Sequence, residues 1–77
     1  MKNKKTDSLA SLIGKRVIVK KSNFSLRFLI EKIEKIEKID EIFFEGPIEI
    51  ASPNCPFPVN SIYSVSENEI KYYTVIS

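Results

Sequence analysis

Ile30-Glu31-Lys32, Ile33-Glu34-Lys35, Ile36-Glu37-Lys38 and a closing Ile39 form three identical triplets in the middle of this chain. A repeat of three matches neither the period of about 3.6 of an α-helix nor the period of about 2 of a β-strand. Read as helix, Leu26, Leu29, Ile30, Ile33 and Ile36 fall within an arc of about 120°. Glu31 with Lys35 and Glu34 with Lys38 then make i, i+4 pairs in the favourable order, each worth about 0.3–0.5 kcal/mol. Phe28 and Ile39 are left on the opposite side, and no Gly, Asn or Pro stops the helix. Read as strand, Leu26, Phe28 and Ile30 alternate with Arg27, Leu29 and Glu31. Ile33 and Ile36 then drop out of phase, and each needs a bulge or a bend to return to the core face. Long, bulged second strands are what small, tightly curved barrels require.

The flanking sequence pulls toward strand. Lys15 to Lys21 has a Val17-Ile18-Val19 centre between charges, and Ser22 to Ser25 reads as a turn. Asp40 to Ile50 reads as a strand with a kink or edge position at Gly46-Pro47, because proline cannot donate to a ladder. Residues 51–60 hold three prolines and form a stiff loop. Val59, Ile62 and Val65 are three apart, which suits a 3₁₀ turn entering a strand. Residues 62–66 and 70–76 are expected to pair as a terminal hairpin around Glu67-Asn68-Glu69. Upstream, Thr6 or Asp7 can cap a short helix over 8–13, which Gly14 ends in a left-handed conformation.

This order of a short helix, four or five antiparallel strands and a turn before the last strand resembles small SH3-like or Sm-like barrels. The likeness is one of fold and rests on spacing. The alternative is an α+β domain with one helix over residues 25–38 packed on an antiparallel sheet. Residues 1–6 are expected to be a flexible basic tail and residues 7–77 one small domain, near the lower limit for a core without staples.

Composition narrows the chemistry. At 43% hydrophobic the chain has enough apolar mass to fold. It has no histidine, so the commonest general base and metal ligand is missing. The single cysteine, Cys55, builds neither a disulfide nor a thiolate zinc site, and its loop holds no nearby activating charge. No apolar run approaches the roughly 18–20 residues that span a bilayer, and no signal segment is evident. A cytoplasmic, non-enzymatic protein without cofactor, metal or small-molecule substrate is the expectation.

Charge is unevenly placed. Residues 1–21 carry a net +6, residues 22–50 a net −3 and residues 51–77 a net −1. The acidic residues Glu31, Glu34, Glu37, Asp40, Glu41, Glu45 and Glu49 are interleaved with lysines and read as a salt-bridged, solvated face. Two binding functions are compatible with this pattern. In the first, the chain acts through protein contact, as an adaptor, inhibitor or self-assembling subunit of the kind phages and mobile elements encode. Its surface would be Phe57, stiffened by Pro56 and Pro58, with Tyr63, Tyr73 and Val75 on the terminal hairpin. That hairpin is read with Tyr72 facing the core and Tyr73 facing out. In the alternative, Lys15, Arg16, Lys20 and Lys21 hold nucleic-acid phosphates and Phe24 stacks on a base.

Overall fold

A computed structural model describes residues 9–77. The proposed tail and the capping residues Thr6 and Asp7 lie outside this range. Six strands and one short helix occur in order among the described residues: β1 (Arg16–Lys20), β2 (Ser25–Leu29), β3 (Lys32–Ile36), β4 (Glu41–Ala51), β5 (Ile62–Ser66), α1 (Glu67–Ile70) and β6 (Thr74–Ile76). All pairings are antiparallel, in the order β3-β4-β2-β1-β6, with β5 also on β4. The fold is mainly β. The sheet is not closed, because β5 and β6 do not pair with each other.

The triplet region is strand, so the helix over 25–38 is overturned. It is one long bent strand, β2 then β3, lying along β4 and turning at Ile30-Glu31. Burial decides the outcome. Phe28 and Ile30 are completely buried in the sheet, and each gains about 1.5–3 kcal/mol by leaving water. A helix would turn Phe28 outward and offer in return only ion pairs worth a few tenths of a kcal/mol each. One bend is enough for the phase problem. It returns Ile33 to the core side and leaves Ile36 exposed.

The bend is a change of backbone partners. Ile30 donates its N–H to the Lys15 carbonyl (2.9 Å) and accepts from the Gly14 N–H (2.8 Å). The next residue, Glu31, donates to the Glu45 carbonyl (2.9 Å). Between the register pairs Phe28↔Ile48 and Lys32↔Glu45, three residues on one side face two on the other. A second irregularity, between Arg27 and Phe28, leaves Glu49 without a register partner. These bulges let both strands curl and shift the in–out alternation, so that Ile30 and Ile33 both face the core and Glu49 and Ile50 both face out. Gly46 sits inside the bend. A Cβ placed there would lie 1.5 Å from the Leu29 carbonyl oxygen and 2.7 Å from its carbon.

The core is Val17, Val19, Leu26, Phe28, Ile30, Phe44, Ile48 and Val65, and among the described residues no polar side chain is buried. Leu9 and Ala10 are helical, residues 11–14 turn, and Gly14 has φ 93°. The β3–β4 hairpin closes through residues 37–40, with Asp40 in the left-handed region at φ 52°.

The terminal hairpin is also overturned. After β5 the chain enters α1, where Ser66 is the N-cap and its hydroxyl accepts from the Glu69 N–H (3.2 Å). Turn hydrogen bonds from Tyr72 to Glu69 and from Tyr73 to Ile70 come next. The chain then crosses to β1, where Val75 lies opposite Val17. This inverts the expected faces. Tyr73 and Val75 pack against the core, and Tyr72 is 77% exposed.

Urea unfolding should show Phe28→Ala losing about 3–5 kcal/mol. Asp40→Gly should stay within about 1 kcal/mol of the parent, because glycine accepts the left-handed conformation. Asp40→Val should lose roughly 1–2 kcal/mol at the same position.

Candidate functional site

Three connections meet at one end of the sheet: residues 21–24, residues 52–61 and residues 71–73. Hydrogen bonds tie them together. The Lys21 N–H donates to the Phe24 carbonyl (2.9 Å) and tightens the first turn. Ser52 donates its N–H to the Ser25 carbonyl (2.9 Å), and its hydroxyl accepts from the Ser25 N–H (3.0 Å) and donates to Asn54 Oδ1 (3.0 Å). Asn54 Nδ2 in turn donates to the Asn23 carbonyl. Lys21 Nζ donates to Tyr73 Oη (2.8 Å) and so joins the end of β1 to the third connection.

A line of rings runs outward from the core at this end. Buried Phe28 packs on Tyr63 (centroids 5.5 Å apart), Tyr63 meets Phe57 edge-on (5.5 Å) and Phe57 meets Phe24 edge-on (6.0 Å). Such ring pairs add about 0.5–1.5 kcal/mol beyond area burial. Phe57 stands at the crest, 41% exposed. Its loop is held by Pro56 and Pro58, by Ser61 Oγ donating to the Pro58 carbonyl (2.6 Å), and by Asn60 and Ser61 bonding the backbone of Ile48 (2.8 and 2.9 Å). Asn60 takes the left-handed turn, φ 79°, that sends the chain into β5.

The two candidate residue sets therefore merge. Phe57, Tyr63 and Tyr73 of the protein-contact set stand with Lys20, Lys21 and Phe24 of the nucleic-acid set. Val75 leaves the site for the interior of β6. Lys15 and Arg16 lie at the other end of β1. Lys15 Nζ reaches Ser77 Oγ (3.4 Å), and Arg16 is paired with Glu49 (3.1 Å), which Arg27 Nη2 also approaches (3.4 Å). Phe24 is half-buried and meets Phe57 edge-on. Tyr72 and Lys71 join the site unanticipated, with Lys71 Nζ 5.6 Å from the centre of the Tyr72 ring. The signal that finds them is Ser66-x-x-Glu69, a capping box, which breaks the hairpin and reverses the facing of Tyr72, Tyr73 and Val75.

Other candidates stay apart. Three of the acidic residues form surface pairs, Glu34 and the half-buried Glu45 with Lys32 and Asp40 with Lys35, each worth little. Cys55 is a free thiol partly packed on the core. Among the described residues no group of three His, Cys, Asp or Glu is placed to hold a metal ion, and no helix is long and apolar enough to cross a membrane. No family model, curated protein or solved structure matches this chain.

Two titrations report on the site. The hydrogen bond to Tyr73 raises the Lys21 ammonium above its ordinary 10.5, and burial raises the Tyr63 phenol above its ordinary 10.0. In both cases the folded state holds the proton more tightly. The stability this contributes is complete below the ordinary values and is lost as pH climbs through the raised ones. Absorbance titration at 295 nm should show a late-ionising tyrosine that Tyr63→Phe removes. The fall in stability above pH 10 should be shallower in Tyr63→Phe and in Lys21→Met than in the parent.

Proposed function

We propose that this chain is a non-enzymatic binding module that captures a partner protein on the aromatic crest around Phe57. The observation that carries this reading is a large ring held rigid and left substantially bare. Two edge-on ring contacts and two flanking prolines fix Phe57, and 41% of it still meets solvent. A prearranged apolar anchor binds with little ordering cost, and buried aromatic anchors dominate the energetics of protein contacts. Tyr63 and Phe24 provide the shelf beside it. The fold we infer behind the site is an SH3-like or Sm-like small barrel with one open seam. The strand path β6-β1-β2-β4-β5 and a short helix before the last strand support that inference. A separate protein is the partner we favour over a second copy of this chain.

The test is selection of random displayed peptides on the immobilised protein. Enriched peptides should carry a large apolar residue. Phe57→Ala should weaken their binding at least tenfold while keeping the β-sheet circular dichroism and losing only about 1–2 kcal/mol of stability. Absence of enrichment, or peptides indifferent to Phe57→Ala, would refute the reading. Light scattering that shows a dimer dissociated by Phe57→Ala would replace the partner protein with a second copy.

A further inference from the structure

Beside the aromatic crest, on the outer face of β1 and β6, lies a groove of about 270 Å³. It is lined by Ile18, Lys20, Tyr72, Tyr73 and Thr74. Phe57 is not among these residues, so the groove is a distinct part of the same end of the sheet. Its size is just under the roughly 300 Å³ at which small-molecule pockets begin, which suits one flat ring better than a whole cofactor. The lining is chemically mixed. Ile18 gives an apolar patch, Thr74 a hydroxyl, and the two tyrosines give rings.

Two features point to the ligand. The first is Tyr72, 77% exposed. A ring of that size normally hides most of its surface, and here the Ser66-capped helix and the turn after it hold it out. The second is the charge around it. Lys20 lines the groove, Lys71 Nζ stands 5.6 Å from the Tyr72 centroid, and Lys21 Nζ stands 5.4 Å from the Tyr73 centroid while donating to its hydroxyl. Among the described residues, Glu69 is the carboxylate whose field reaches Lys21. Three ammonium groups against the two carboxylates of α1, Glu67 and Glu69, leave a local positive excess beside an available ring. Single-stranded nucleic acid presents the complementary pair, a phosphate about every sugar and an unpaired base with a free face. A duplex has the phosphates but keeps its bases stacked inside.

We propose that this groove binds single-stranded nucleic acid, with a base stacked on Tyr72 and the flanking phosphates held by Lys20, Lys21 and Lys71. Arg16 and Arg27 share Glu49, which leaves one positive charge in excess between them, and neither lines the groove. Binding is indifferent to sequence, since a stacking platform and point charges do not read base edges.

Fluorescence anisotropy of labelled oligo-dT, oligo-rU and a duplex of equal length, at low and then moderate salt, tests this on the full chain. Single strands should bind at least tenfold more tightly than the duplex, and affinity should fall as salt rises. Tyr72→Ala should weaken binding roughly tenfold, as expected for loss of one stacked base. Lys20→Ala should reduce the salt slope by about one, and Lys15→Ala should leave it unchanged. Phe57→Ala, which removes the protein-contact anchor, should also leave it unchanged, so the two sites fail or survive separately. A preference for oligo-dT or oligo-rU would tell which strand is the natural ligand. The proposal is overturned by any of four results: no binding at low salt, duplex binding as tight as single-strand binding, an unaffected Tyr72→Ala variant, or displacement of the strand by polyglutamate at equal charge.

Discussion

The backbone of β4 touches the backbone of the long second strand at Gly46, and the rest of the sheet depends on that contact. The distance from a built Cβ to the Leu29 carbonyl oxygen leaves no room for any side chain. Because the strands come this close, β2–β3 can bend at Ile30-Glu31 without breaking its pairing with β4. Before the bend its residues lie between β4 and β1, and after it they lie along β4 alone. A flat sheet of six strands cannot enclose a core. A bent one brings Phe28, Ile30, Phe44 and Ile48 face to face, where they are fully buried. Pro47 sits next to the bend with its missing donor, and β5 begins opposite it.

The same curvature builds the functional end. Bending sends the β1–β2 turn, the loop after β4 and the linker after α1 to one end of the molecule. The small core then leaves aromatic residues over. Phe28 fills the interior, and Tyr63, Phe57 and Phe24 continue outward as a row of rings with no further layer among the described residues to cover them. The sheet stays open: α1 interrupts the chain after β5, and β6 has only three residues with which to pair. A domain of this size buries a smaller fraction of its surface than a larger one, and the uncovered apolar residues include Phe57, Val59 and Tyr72 at the end where the loops meet as well as Ile39 and Ile62 elsewhere.

Much of this architecture is legible in the sequence, and the failures have definite physical causes. The Val17-Ile18-Val19 strand, most of the strand expected over 40–50 and the left-handed Gly14 come from local rules, whereas Gly46, read as a kink or edge position, is a point of close backbone approach inside the continuous β4. The triplets are ambiguous because local energies favour helix by tenths of a kcal/mol, and the deciding term is burial against β4, a partner some fifteen residues away. Asp40 ends β3 in a left-handed turn that a search for glycine, asparagine or proline overlooks. Around the site, Phe57, Tyr63, Tyr73, Lys20, Lys21 and Phe24 are the expected residues that do come together. Tyr72 escapes the sequence reading because the Ser66 cap inserts a turn of helix, after which Tyr72, Tyr73 and Val75 exchange faces; Lys71 is outward in both readings. The basic cluster looks continuous in sequence, but a strand separates its ends, and Glu49, placed by a bulge, neutralises Arg16.

The claim that the fold hinges on the Gly46 contact is tested by the equilibrium unfolding of Gly46→Ala, followed by circular dichroism in urea. One methyl group is added, and the backbone it meets belongs to the bend itself. The expected result is a loss of at least about 3 kcal/mol, a large share of what a domain this small possesses, with the Phe57–Tyr63 end disordered even where the sheet survives. A variant as stable as the parent, with its tyrosine environment unchanged, would contradict the claim and place the origin of the bend elsewhere.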